Sequence, residues 1–280
     1  MVLYTPEVVY EVQKIQFEIL CEIERICRKH DIKYTLCGGT LLGAIRHKGF
    51  IPWDDDMDID MSRSEYEKFL EVANIELNKK YFVQNYKSDK NCLNTPFTKI
   101  RKNGTIFESE GQRHLDRHKG IAIDIFPIDT VPENIVLRRV HKETIALLQK
   151  LVAIKLKYNY YNDNNFKKAL KITGSLLLSG ISIYRIGKVM ENVMSFFNNT
   201  DSELVSNTYS RNFYDKLTFN KSIYESIIYL EFWQKKFPAP KQWETILQKF
   251  YGDYMTPPPE EERWNFQHNI IRISFEEETN

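Results

Sequence analysis

The sequence predicts an α/β fold of the α+β kind, in which strands are interleaved with covering helices and a helical part follows. Three observations carry this. The first thirty residues place Val8, Val9, Val12, Ile15, Ile19, Ile23 and Ile26 near helical spacing. Residues 34 to 62 then run strand, glycine turn, helix, strand, and beyond about Pro132 the signals become mostly helical. With 280 residues, 42% of them apolar, the chain can bury a substantial core. The division falls at residues 1–132, the core, and 133–280, a mainly helical region packing on it.

In order along the chain, the spacing predicts a long amphipathic helix from Thr5 to His30 that covers one face of the sheet. Tyr34 to Cys37 reads as a short strand, after which Gly38-Gly39-Thr40 opens a helix carrying Leu41, Leu42, Ala44 and Ile45. Ser62-Arg63-Ser64-Glu65 has the form of a capping box before a helix through Phe69, Leu70 and Val72. Strands are expected at 81–86, 97–101, 105–108 and 120–126, with Asn103-Gly104 as a hairpin-type turn. Helices are expected over 135–160, over 165–190 and onward, and Pro238-Ala239-Pro240 introduces a last one ending near Gly252.

The densest chemical signal is Trp53 to Asp60, where five carboxylates fall within seven positions. In a strand, Asp54, Asp56, Asp58 and Asp60 project to one face, and Asp55, Met57 and Ile59 to the other. Carboxylates so close repel unless a cation sits among them, and hard oxygen ligands suit Mg²⁺ or Mn²⁺. A solvated acidic loop is the alternative, but it gains nothing from alternating with Met57 and Ile59. Just upstream, Gly38 and Gly39 permit close backbone approach to a phosphate, and the first helical turn offers its N–H groups to an anion.

The stretch from Gly38 to Ile59, GGTLLGAIRHKGFIPWDDDMDI, resembles the signature of the LicD family, phosphocholine and related phospho-alcohol transferases to which fukutin-type proteins are also similar. The resemblance continues through Phe97 to Arg101 and Ile123 to Asp129 and returns at Tyr251 to Met255; residues 135 to 235 carry none of it. It implies a nucleotidyltransferase-like core with a mixed sheet, in which the glycine turn and an acid-apolar-acid strand hold a divalent metal against a nucleotide diphosphate. Both Asp56-Met57-Asp58 and Asp58-Ile59-Asp60 fit that strand, and the resemblance selects Asp56 and Asp58. It draws a third ligand from a neighbouring strand, for which Asp124 in the apolar run Ile121 to Phe126 is the candidate, since a lone buried acid is costly unless paired or metal-bound. Asp129 reads as a cap. The gap between Gly39 and the acids is longer than in the minimal pattern, filled by a loop with Arg46, His47 and Lys48 that is placed to clamp phosphate.

On the resemblance, Asp56, Asp58 and Asp124 are the expected metal and catalytic residues, with Asp124 either ligand or base. Gly38, Gly39 and Thr40, with Arg46 and Lys48 and the same-face pair Lys99 and Arg101, are the expected phosphate-binding residues. The implied activity is Mg²⁺- or Mn²⁺-dependent transfer of a phosphocholine-like group from a CDP-alcohol donor to a hydroxyl of a cell-surface glycan or its lipid-linked precursor. Transfer of an NMP to a small acceptor is the enzymatic alternative, and a non-catalytic membrane or glycan-assembly scaffold the other.

Composition narrows the classes further. A net charge of +1 argues against a nucleic-acid partner. No continuous apolar stretch follows Met1, and Cys21, Cys27, Cys37 and Cys92 form no C-x-x-C pair, so reduced thiols and a cytoplasmic location are expected. His114 and His118 have the spacing of a metal pair but lack a third ligand, and their segment reads as a flexible loop over the site. His268 either reaches substrate from the tail or lies at the surface. Between Arg138 and Lys188 there are eleven Lys or Arg against two acids, flanking the apolar run Ile172 to Ile183. That run is too short to span a bilayer, so residues 138–188 read either as core helices with a basic face or as a peripheral contact with the inner face of a membrane.

Overall fold

The computed structural model describes residues 5–92, 96–159, 163–209, 211–264 and 269–275, which leaves His268 outside the described residues. Helix α1 (Pro6–Lys29) starts at Thr5, whose Oγ1 accepts from the Val8 amide, with Pro6 in the first turn and Arg28 and Lys29 in the last. Its stripe of Val9, Val12, Ile15, Ile19, Ile23 and Ile26 is buried. Then follow β1 (Thr35–Leu36), α2 (Gly38–His47), β2 (Asp58–Ser62), α3 (Arg63–Glu76), β3 (Tyr81–Gln84), β4 (Thr98–Lys102), β5 (Ile106–Ser109) and β6 (Ala122–Thr130). The second half comprises α4 (Ile135–Lys155), α5 (Asn165–Leu177), α6 (Ile183–Met194), β7 (Leu204–Asn207), α7 (Arg211–Tyr214) and β8 (Thr218–Asn220). It ends with β9 (Ile227–Phe232), β10 (Lys235–Pro240), α8 (Trp243–Tyr251), α9 (Glu260–Arg263) and β11 (Ile270–Ser274).

The main sheet is mixed and runs β1-β2-β6-β4-β3, with β7 and β8 added beside the far end of β6. Only the β2–β6 pairing is parallel within it, and that register sets Asp58 against Asp124. The edge of β6 changes partner midway: β4 pairs with residues 122–125, and β7 with residues 128–130. Pro127 falls in the gap between them, where a residue without an N–H costs no ladder bond.

Several expectations are corrected by tertiary context. Residues 204–240 are mostly not helical but form β7 to β10, with the short α7 the exception, and Pro238-Ala239-Pro240 lies in β10, paired with β9. Gly104 turns the chain with φ +72°, yet no hairpin results, because β5 pairs with β11 from the other end of the sequence. The helix expected over 165–190 breaks at Ser179-Gly180, and α6 restarts with Ser182 capping the Arg185 amide. Ser62 does occupy the N-cap of α3, but its hydroxyl contacts Ser64 and makes no capping bond, while Glu65 accepts from the Lys33 amide. Asp129 caps nothing: it is fully buried in a two-pronged ion pair with Arg63 (2.8 and 2.5 Å) and accepts from Asn198.

Two apolar clusters result. One surrounds the sheet and α1 to α3, and the second joins Tyr86, Leu115 and Val131 to Ile145, Val152, Ile183, Ile186 and Met190 of the helical layer.

Candidate active site

The site is assembled at the start of β2. Cys37 and Gly38 lie beside this strand, where the Cys37 amide donates to the Asp58 carbonyl (3.3 Å). Gly38 has φ +52°, a left-handed conformation that favours glycine, and a Cβ there would sit 3.0 Å from Asp58 Oδ2. A Cβ on Gly39 would meet Asp54 Oδ2 at 2.6 Å. Gly38 is therefore favoured by its backbone conformation, and a side chain at Gly39 would push the Asp54 carboxylate aside. Cys37 gives no side-chain cap, so the first turn of α2 is not closed by its own residues. The Thr40 hydroxyl is buried and accepts from the Asp58 amide (2.8 Å), which fixes the start of the strand.

The acid run does not alternate along its whole length as expected, because regular strand begins only at Asp58. Asp54, Asp55 and Asp56 lie in the preceding loop, with ligand oxygens within 4.8 Å of one another, so Asp55 joins its neighbours. Two buried amide side chains of α1 hold this loop: Gln13 donates to the carbonyls of Ile51 and Asp54, and Gln16 to those of Asp55 and Ala122. Asp60 is on the acid face but buried, accepting from Asn207 (3.0 Å); burial raises its pKa to about 7.

Across the parallel pairing, Asp124 accepts both oxygens' contacts from Lys99 (2.5 and 2.7 Å), which stands opposite it on β4. Burial holds the Asp58 carboxyl well above its ordinary value, reinforced by the charges of Asp124, Asp56 and Asp54. Asp124 is raised by burial and by Asp56, against the pull of Lys99. Four acids thus share one field with a single lysine acting on two of them, a donor set of hard oxygens that fits Mg²⁺ or Mn²⁺.

The expected phosphate-binding bases are dispersed. Arg101 is buried and donates to Gln84 Oε1 and the Gly120 carbonyl. Arg46 and His47 are not on a loop but in the last turn of α2, and Lys48 closes that helix with φ 54°. Arg46 donates to the Tyr254 carbonyl (3.1 Å), while Lys48 is exposed, 3.8 Å from Glu231 of β9. The histidines do not form a metal pair: His114 contacts the Leu156 carbonyl, whereas His118 accepts from the Gly120 amide at Nδ1 and faces Asn103 Oδ1 with Nε2.

Three aromatic groups beside the acids escaped the sequence reading. Tyr209 stacks on Phe126 (4.4 Å), and burial, then the charges of Asp58 and Asp124, raise its phenol pKa. Tyr251, 39% exposed, lies in the same field: the partial burial of its phenol, then Asp58 and Asp54, raise its pKa. Trp53, adjoining Asp54, has the guanidinium carbons of Arg263 and Arg46 at 5.1 and 6.0 Å from its ring. Trp53 and Tyr251 had a local signal, both being inside stretches that carried the family resemblance, whereas Tyr209 had none. An open cavity of about 740 Å³ lies at the other end of β2, lined by Ser62, Arg63, Thr130 and Asn198, and contains none of Asp56, Asp58 and Asp124.

Residues 31–146 match the family model described as LicD/FKTN/FKRP, nucleotidyltransferase domain. The chain is 30% identical over 260 residues to the lipopolysaccharide cholinephosphotransferase LicD of Haemophilus influenzae, covering 90% of this chain and 93% of that protein. Shorter matches are to uncharacterized proteins of Rickettsia typhi (38% over 56 residues, 20% of this chain and 18% of that one) and Rickettsia prowazekii (41% over 49 residues, 18% of each).

Proposed function

The chain belongs to the LicD family, and from that premise we propose that it is a transferase moving phosphocholine, or a similar phospho-alcohol, from a CDP-activated donor to a hydroxyl of lipopolysaccharide or a related glycan. The observation that carries this reading is the pairing of Asp58 with Asp124 beside the Gly38-Gly39 turn, with Asp54 and Asp56 in the same field. The full-length similarity to a lipopolysaccharide cholinephosphotransferase supports the substrate class.

Asp56, Asp58 and Asp124 would hold Mg²⁺ or Mn²⁺. A cation bound there supplies charge neutralisation at the donor diphosphate and makes the departing CMP a better leaving group. The chain's own groups do the remainder. Gly38 and Gly39 let the backbone approach the phosphates. Lys99 orients the Asp124 carboxylate, and an Asp124 oxygen takes the proton of the attacking hydroxyl, aided by burial that raises its basicity. The new P–O bond forms to the acceptor oxygen as the bond between the choline-bearing phosphorus and the CMP oxygen breaks.

Incubation with CDP-choline and a lipopolysaccharide acceptor is expected to release CMP, to stop with EDTA and to resume with Mg²⁺ or Mn²⁺. Full turnover in EDTA overturns the metal reading. The alternative of NMP transfer, favoured by the matched domain's description, starts from a nucleoside triphosphate and releases pyrophosphate.

A further inference from the structure

Among the described residues, twenty-one large apolar side chains are exposed, and fifteen of them fall between Ile135 and Phe196. That span is under a quarter of the chain. Helix α5 is the extreme case, for it buries no residue at all. It leans on α4 through small and polar groups: a Cβ on Gly174 would sit 2.6 Å from Ile154, Ser175 donates to the Lys155 carbonyl, and Lys155 donates to the Leu178 carbonyl. Phe166, Leu170 and Leu177, spaced by four and seven, form one stripe on the opposite side and are 78%, 60% and 80% exposed. An amphipathic helix that turns its polar side to the protein and its apolar stripe outward is built to meet something other than water.

Charge identifies the occupant. Eleven Lys or Arg against two acids in residues 138–188 give the layer a net charge of about +9, in a chain whose total is +1. Arg139, Lys150, Lys167, Arg185 and Lys188 are exposed. A second copy would set the same positive charge against itself. No helix of the described residues is long and apolar enough to cross a membrane, and thirteen residues of α5 span only about 20 Å against a hydrocarbon core of about 30 Å. An apolar stripe of this length with basic flanks fits the plane of an anionic lipid interface, stripe in the acyl boundary and cations among the headgroups.

We propose that the α4–α6 layer is a membrane-docking surface for anionic lipid, with Phe166, Leu170 and Leu177 of α5 as its inserting groups. The docking is independent of the chemistry assigned to the acids.

The test is co-sedimentation of the full-length chain with vesicles of phosphatidylcholine alone and of phosphatidylcholine with 30% phosphatidylglycerol. Binding is expected with the anionic vesicles, weakening as salt shortens the Debye length from about 30 Å at 0.01 M to about 8 Å at 0.15 M. Phe166→Ser with Leu177→Ser should weaken it at least tenfold with the melting curve unchanged, and Lys167→Gln with Lys188→Gln should weaken binding at low salt and leave what remains less sensitive to added salt. Three outcomes overturn the proposal: no binding to anionic vesicles at low salt; undiminished binding by the serine variant, which means adsorption by charge alone; and a soluble dimer, seen by light scattering, that depends on Leu177 and leaves vesicles unbound.

Discussion

The acid-bearing end of the main sheet and the α4–α6 layer distribute charge and apolar surface in opposite ways. At the sheet, Asp55, Asp60, Arg63, Arg101 and Asp129 are buried, each held by named neighbours or a crowded carboxylate field, while the apolar groups around them are sealed. In the helical layer Arg139, Lys150, Lys167, Arg185 and Lys188 lie outside, and so do Phe166, Leu170 and Leu177. Desolvating a charge is expensive unless a partner or ion repays it, so a buried charge marks either a strut or a reacting centre. An apolar stripe left in water marks a face awaiting a partner. The same reasoning, read from opposite sides, separates chemistry in one region from docking in the other.

The largest effect that would sharpen this contrast is on Asp58. Asp58→Asn removes a charge without changing shape, and turnover is expected to fall by about 10³-fold or more, equivalent to roughly 4 kcal/mol in the barrier, with an unchanged melting curve. Retained turnover would make the acid cluster structural, as Asp129 is. For that strut, Asp129→Ala leaves Arg63 buried without its carboxylate and should cost about 3–5 kcal/mol in urea unfolding. A loss below about 1 kcal/mol would show that Glu191, 3.8 Å from Arg63, suffices as its counter-charge.

His118 supplies a smaller, pH-dependent effect. Its ring accepts from the Gly120 amide and stacks on Phe82, and burial together with the Arg101 cation lowers its pKa to about 4 from 6.5. The unfolded chain takes up a proton that the native state resists. Stability from this group is therefore complete above pH 6.5 and is lost as pH falls towards 4, by about 3 kcal/mol at most. His118→Gln should flatten the stability curve across that window, and an unaltered slope would place the titration elsewhere. The smallest change belongs to the other region: Leu177→Ser should alter folding stability by less than about 0.5 kcal/mol, because its side chain already sits in water. A loss of 2 kcal/mol would mean that this leucine is packed.

How much was legible in the sequence follows from the range of the forces involved. The α1 stripe, the Gly38-Gly39 turn and the crowded acids from Asp54 to Asp60 are local patterns, so spacing alone located them. The same-face placement of Lys99 with Asp124 needed one further fact, the β4–β6 register, and the structure supplies it. Arg101, two residues on, looked equivalent to Lys99; only the position of Gln84 and Gly120 shows that its guanidinium is engaged in the sheet. Tyr209 and Arg263 had no local mark, because one approaches the acids and the other the Trp53 ring from far along the chain.

By itself, then, the sequence determined the helix and strand periods of the first half, the glycine turn, the concentration of carboxylates and the charge asymmetry of residues 138–188, all of which depend on neighbours within one or two turns of chain. The tertiary structure alone decided that β5 would pair with β11, that most of residues 204–240 would become the strands β7 to β10, that Asp129 would clasp Arg63, and that α5 would face its apolar stripe outward. These outcomes turn on which distant surfaces and polar groups meet, and a periodic pattern records that a face is apolar without recording what will cover it.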